Sequence, residues 1–193
     1  MTFVAANETY AGSDVTRPKS LTVWFTGLSG AGKTTICKAV ATELLAHGLQ
    51  VELIDGDVIR NYLCKDLGFS KNDRDENIRR IAFVSQLLTR NGAIVLVSAI
   101  SPYRAARDAA RHSIGDFMEV HVNTPLAVCQ VCDPKELYKK ARAGKITGFT
   151  GIDGPYEPPL SPEITCYTDQ ESTRESSSKV VAAVLQYLTP TSA

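Results

Sequence analysis

Residues 27–34 read Gly-Leu-Ser-Gly-Ala-Gly-Lys-Thr. Gly27, Gly32, Lys33 and Thr34 have the spacing of a phosphate-binding loop: glycine, four residues, glycine, lysine, hydroxyl residue. Glycines let the backbone curl so that successive N–H groups point at one anion. A following helix adds its positive N-terminal end. The expected ATP cradle is Gly27, Leu28, Ser29, Gly30, Ala31, Gly32, Lys33, Thr34 and Thr35. In it Lys33 reaches the terminal phosphates and the Thr34 hydroxyl holds Mg²⁺. By average residue usage the pattern arises by chance in about one chain in a hundred of this length. A dinucleotide fingerprint fits less well, because its third glycine position is Thr35.

A second group that can do chemistry is Asp55-Gly56-Asp57. Two carboxylates at a strand end can hold Mg²⁺ through water and accept a proton from an attacking hydroxyl. The same residues also read as an Asp-Gly turn in which Asp57 caps a helix. Taken alone, the residues leave both readings open.

The elements that must position these groups follow from pattern. Leu21 to Thr26 is a β-rich apolar run, and Lys33 to His47 has apolar residues at helical spacing before Gly48. Val51 to Ile54 is a second strand, and Val58 to Leu63 a short helix. Asp73 to Asn91 predicts a longer helix with an apolar face of Ile78, Ile81, Phe83, Val84, Leu87 and Leu88. Ala93 to Ala99 is nearly continuously apolar, as the covered centre of a parallel sheet requires. Tyr103 to His112 reads as helix and Phe117 to Val122 as strand, with Pro125 in the first turn of the next helix. Residues 134–160 read as a cationic helix running into a Gly/Pro-rich loop, then Glu163 to Thr168 as a strand and Ser172 to Leu188 as a closing helix. Alternating strands and helices imply an α/β fold, a parallel sheet covered on both faces.

The bulk composition narrows the partners. At 193 residues the chain has the size of one domain. We expect a single domain over 21–193, preceded by a flexible arm over the polar residues 1–20. Lys plus Arg and Asp plus Glu are both 21, so net charge gives no reason to expect nucleic acid or an anionic membrane. No apolar run reaches the roughly 20 residues of a membrane helix, and a cytoplasmic protein is expected. Five cysteines at scattered positions do not form a disulfide framework. Cys129-Gln-Val-Cys132 reads as two thiols on one side of a helix, with no second pair or His cluster to support a redox or metal role.

The motifs beyond the loop carry a resemblance. They are DGDVIR from Asp55, LGFS from Leu67, DRDENIRR from Asp73, ISPYR from Ile100, and DPKELYKKARAGKITGFTGIDGPYEPP from Asp133. With GLSGAGKTT, these make residues 20–165 closely similar to the adenylylsulfate kinase (APS kinase) family. That resemblance implies a P-loop NTPase-type three-layer sandwich, mostly parallel, with helices on both faces and a lid near 132–152. It also implies phosphorylation of the 3′-hydroxyl of adenosine 5′-phosphosulfate (APS) by ATP to give PAPS, with Mg²⁺ as cofactor and a homodimer as assembly. Asp57 matches the position that assists deprotonation of the 3′-hydroxyl and, with Thr34 and Asp55, organises Mg²⁺. Arg60, Phe69, Arg74, Asn77, Ile100, Ser101, Lys135 and Phe149 match the surroundings of APS, Phe69 and Phe149 flanking its adenine. Ser101 matches the position given in this family as a phosphoserine intermediate, so the catalytic set is Asp57, Lys33 and Ser101. Direct in-line transfer is the preferred route, because positioning and electrostatics suffice.

The residue chemistry is compatible. Arg60 and Arg74 are forked donors for a phosphosulfate, Asn77 can bond a sugar or base edge, and stacking on an aromatic contributes about 1–3 kcal/mol per base. Each residue also has a plainer reading. Arg74, Arg79 and Arg80 fit a salt-bridged helix start, Phe69 a core position, Ser101 a turn, and Lys135, Lys139, Lys140, Arg142 and Lys145 a solvated face. The chain departs from the family at Cys132, usually Arg, at Glu136, usually Gly, and at Gly154. Two other functions remain: another P-loop small-molecule kinase, which leaves ISPYR and FTGI without a reason, or a silent nucleotide-binding module.

Overall fold

The computed structural model describes residues 19–189. All but the last two residues of the expected arm over 1–20 lie outside the described residues. Five strands, β1 (Leu21–Thr26), β2 (Val51–Asp55), β3 (Ile94–Ser98), β4 (Phe117–Asn123) and β5 (Ile164–Tyr167), form one sheet. Their order is β2-β3-β1-β4-β5 and every neighbouring pair is parallel. The expected mostly parallel sheet is thus parallel throughout.

Every residue of β1 is buried, because both faces of the strand are covered. Side chains alternate between two cores. Leu21, Val23 and Phe25 pack with Ile36, Val40 and Leu44 of α1 (Lys33–Ala46) and Val180 and Val184 of α7 (Thr173–Leu188). Trp24 packs into the second core with Ile78 and Ile81 of α3 (Lys71–Thr89) and Ala110 of α4 (Arg104–Ile114). Truncating a residue such as Leu44, fully buried here, costs about 2–5 kcal/mol. The two threonines of β1 are satisfied: Thr22 pairs with Thr89 at 2.7 Å, and Thr26 donates to the Ile100 carbonyl at 2.8 Å.

Several boundaries differ from expectation, each for a local reason. The helix α2 (Gly56–Tyr62) starts two residues early, because the Asp55 side chain accepts from the Asp57 and Val58 N–H groups. Asp55, not Asp57, is therefore the cap. The helix α3 starts at Lys71 rather than Asp73, held by a reciprocal capping box between Ser70 and Asp73. Phe83, expected on the apolar face of α3, is exposed. Pro125 precedes α5 (Leu126–Cys132) as its N-cap rather than lying in its first turn. The expected cationic helix from 134 shrinks to α6 (Leu137–Arg142). Glu136 enters it in the left-handed region at φ +51°, and Gly144 at φ +69° follows its end.

The topology places one rim for function. β2 and β3 lie to one side of β1, β4 and β5 to the other. Such a reversal opens a crevice at the carboxyl ends of the strands. There the chain leaves β1 after Thr26, β2 at Asp55 and β3 at Ser98.

Candidate active site

The loop after β1 is close to its neighbours. A Cβ on Gly27 would meet the Val122 carbonyl oxygen at 2.5 Å, so no side chain fits. Gly30 adopts φ +74°, and a Cβ there would meet the Cys129 carbonyl oxygen at 3.0 Å. Gly32 caps α1 in a left-handed conformation, and no side chain caps that helix. Its first-turn N–H groups remain for an anion. Lys33 is buried and donates to the Gly27 and Leu28 carbonyls at 3.0 and 2.7 Å. Burial lowers its pKa to about 8, a cost that a phosphate anion beside it would reverse.

Ser29, Gly30, Gly32, Lys33, Thr34 and Thr35 open onto a cavity of about 1010 Å³. Gly27, Leu28 and Ala31 of the expected cradle do not line it. The Ala31 carbonyl accepts from Thr124 and Thr168, at 3.1 and 3.2 Å, which ties the loop to the ends of β4 and β5. A second cavity, about 570 Å³, lies between α3 and α4. Alanines of both helices and the polar side chains of Asn72, Asp75, Glu76, Arg79 and Gln86 line it, but it has neither glycine loop nor hydroxyl cluster, so the chemistry belongs to the larger one.

Oxygen donors gather below the loop. Thr34 Oγ1 donates to Asp55 Oδ2 at 3.1 Å and hydrogen-bonds with Ser98 Oγ at 3.0 Å. Two hydroxyls and a carboxylate suit Mg²⁺, which takes hard oxygens, few carboxylates and its substrate's phosphates. Asp57, expected to share this role, lines the same cavity and pairs with Lys135. Ser98 was not singled out from the sequence; a lone hydroxyl at the end of the apolar run 93–99 is the signal for it.

The same cavity collects the residues expected around the second substrate: Asp57, Arg60, Phe69, Arg74, Asn77, Ile100, Ser101, Lys135 and Phe149. Phe69 is 58% exposed, so it is not a core residue. The Arg60 and Arg74 guanidiniums lie 4.5 and 5.7 Å from its ring centre. Arg60 also donates to the Gly68 carbonyl at 2.8 Å. Arg74 reaches across to Thr150 Oγ1 at 3.1 Å and the Gly148 carbonyl at 2.7 Å, and its burial lowers its pKa. Phe149 is only 8% exposed and meets Tyr138 edge-on at 5.0 Å. The Tyr138 hydroxyl donates to the Ser29 carbonyl at 3.0 Å, clipping the 132–152 segment to the loop. Asn77 Oδ1 is buried and has no partner among the described residues. Such an acceptor costs about 1–3 kcal/mol until a donor arrives.

Arg79 and Arg80 behave as the solvated reading expects, pairing with Glu76 and, for Arg80, Asp66. Hydrogen bonds from Arg79 and then Arg80 hold the Glu76 pKa at about 2. Cys129 is buried, Cys132 exposed, and neither is in a disulfide. Among the described residues no cluster of three or more His, Cys, Asp or Glu side chains is placed to hold a metal ion.

Ser101 is almost fully buried and sits at φ +41°, a strained angle for a residue other than glycine. Its hydroxyl is already engaged. It accepts from Trp24 Nε1 at 2.9 Å and donates to the Ala99 carbonyl at 3.3 Å.

A parallel sheet whose first strand runs into this lysine-bearing glycine loop, with a wide cavity beside it for a second substrate, defines a P-loop kinase. The family model described as adenylylsulphate kinase matches residues 19–167, and the chain belongs to that family. An adenylyl-sulfate kinase of Picosynechococcus sp. is 60% identical over 89% of this chain and 98% of its own length. That of Microcystis aeruginosa is 61% identical over 85% and 91%. An APS kinase of Mycobacterium tuberculosis, solved in complex with AMPPNP and APS, is 45% identical with a TM-score of 0.84, over 87% of this chain and 99% of that one.

Proposed function

We propose that this protein transfers the γ-phosphoryl group of ATP to the 3′-hydroxyl of APS, giving PAPS and ADP, in sulfate activation. The observation that carries the reading is one cavity holding both a phosphate loop and the Arg60–Phe69–Arg74 stack. The loop serves a nucleotide triphosphate. The stack offers two forked cations and an aromatic face, which an adenine bearing a phosphosulfate requires.

Residue roles follow from position. The N–H groups of the loop hold the phosphates, and Lys33 turns from the Gly27 and Leu28 carbonyls onto the terminal ones. Phe69 and Phe149 receive the adenine of APS, and Asn77 accepts a hydrogen bond from it. Arg60 and Arg74 hold the phosphosulfate. Asp57 orients the 3′-hydroxyl and takes its proton, once Lys135 has moved to the substrate's anion. Thr34, Asp55 and Ser98 would hold Mg²⁺, with Asp57 nearby; bound there, the ion neutralises charge on the β- and γ-phosphates. The engaged hydroxyl of Ser101 favours direct transfer over a phosphoserine route.

Residues 132–152 act as a lid over this site, closing on the Arg74, Tyr138 and Lys135 contacts. We propose one kinase domain over 21–193. Five free cysteines and the use of ATP fit a cytoplasmic enzyme, and family resemblance favours a homodimer. Among the described residues no helix is long and apolar enough to cross a membrane.

The test is ADP release from ATP with and without APS. Release that depends on APS supports the reading. ATP binding without APS-dependent release would reduce the protein to a silent nucleotide-binding module.

A further inference from the structure

Arg107 on α4 is 2% exposed, yet it is charged and lies outside the cavity. A guanidinium is expensive to bury unless all sides are paired. Here three of its nitrogens are used in three directions. Nε donates to Glu119 Oε1 on β4 at 2.7 Å, which balances the charge. Nη1 donates to the Ser101 carbonyl at 2.6 Å, and Nη2 to the Glu157 carbonyl at 2.7 Å.

The two carbonyls belong to the parts of the site that need fixing. Ser101 is the strained left-handed residue between Ile100 and Pro102, and all three line the cavity. Its bond to Arg107 anchors the turn from behind, and Trp24 anchors its hydroxyl. Glu157 lies just beyond the 132–152 segment. Its N–H donates to the Pro102 carbonyl at 2.8 Å and its carboxylate accepts from the Arg104 N–H at 2.8 Å. The Tyr156 hydroxyl pairs with Thr26 Oγ1 at 3.1 Å, and Thr26 in turn holds the Ile100 carbonyl. One buried cation therefore joins the floor of the cavity to the root of the segment that covers it.

We propose that Arg107 is the positioning residue of the acceptor pocket, setting the Ser101 turn and the anchor of the lid together. It touches no substrate, and the P-loop has no direct hydrogen bond to it. Its loss should be felt at the APS side of the cavity and not at the ATP side. The inference rests on the functional reading above.

Arg107→Lys tests it. Lysine keeps the charge beside Glu119, but its single ammonium cannot reach three acceptors in the geometry of the fork. The expected result is a KM for APS raised at least about tenfold, on the scale of lost charge-assisted hydrogen bonds. The KM for ATP should stay within about twofold, and Tm within about 5 °C of wild type. Unchanged KM for APS in the folded variant would overturn the proposal. So would equal rises for APS and ATP, which general loosening produces. Should Arg107→Lys not fold, the neutral pair Arg107→Met with Glu119→Gln removes both buried charges together and carries the same readouts. Wild-type protein that releases no ADP with APS would refute the functional reading, and the inference with it. A wild type active on APS beside a variant unchanged toward APS would refute the inference alone.

Discussion

Lys135, ahead of α6, and Asp57, in the first turn of α2, form an ion pair across the mouth of the cavity. Both side chains are largely exposed, so the pair contributes at most about 1 kcal/mol to stability. Its meaning is functional: the carboxylate expected to receive a proton is held by a cation from the segment that closes. Asp57→Asn should lower kcat about 10²- to 10⁴-fold, the range of general base catalysis, and leave the fold intact. Lys135→Ala should instead raise the KM for APS about tenfold, with a smaller change in kcat. Steady-state kinetics of both variants separate the two roles; equal effects on kcat would contradict them.

Phe69 and Phe149 make a matched pair of opposite burial. Phe69→Ala removes an exposed ring and should change stability by under about 0.5 kcal/mol. It should raise the KM for APS roughly 5- to 150-fold, the equivalent of about 1–3 kcal/mol of stacking. Phe149→Ala should cost about 3–5 kcal/mol of stability as well, because its ring packs on Tyr138. Denaturant melts beside KM values check the contrast, and an intact KM for APS in Phe69→Ala would remove the stacking role.

Ser101→Ala leaves Trp24 Nε1 without its acceptor, at about 1–3 kcal/mol of stability. Activity should remain measurable on the proposed direct route. Label from γ-³²P-ATP should stay off the wild-type protein after denaturation. A folded but inactive Ser101→Ala that still binds ATP and APS would argue for the covalent route.

His121 on β4 stacks against Tyr156 at 6.1 Å. Burial, then the charge of Arg107, lowers its pKa from 6.5 to about 4. The unfolded chain therefore binds the proton first as pH falls. Stability from this group is complete above about pH 6.5 and declines toward pH 4, by up to about 3 kcal/mol. Unfolding free energies between pH 6.5 and 4.5 should slope upward with pH, and His121→Gln should flatten the slope. An unchanged slope in the variant would assign it to other groups.

The legible parts of this protein are those whose chemistry is local. Gly27 to Thr34 declares itself because loop, lysine and hydroxyl are contiguous and each has one physical reason. The apolar runs of β1 and β3 likewise leave no exposed face to assign. Asp55 and Asp57 were ambiguous between catalysis and capping, and the cap expected at Asp57 falls to Asp55, whose extended backbone and side chain meet the Asp57 and Val58 N–H groups. Ser70 and Asp73 did carry a readable capping signature, which places the start of α3 at Lys71. Phe83 misled because helical spacing fixes a face but not whether a neighbour covers it. Arg107 was out of reach. In sequence it is one of three arginines on its helix, and its partners lie 6, 12 and 50 residues away.

The acceptor, APS, is what separates this protein from other P-loop kinases. The most direct measurement compares kcat/KM for APS, AMP and adenosine at fixed ATP, with the product identified by mass. PAPS and ADP should form in equal amounts, with a preference for APS over adenosine of at least about 100-fold from the Arg60 and Arg74 contacts. Equal turnover of adenosine or AMP, or no ADP release dependent on APS, would contradict it.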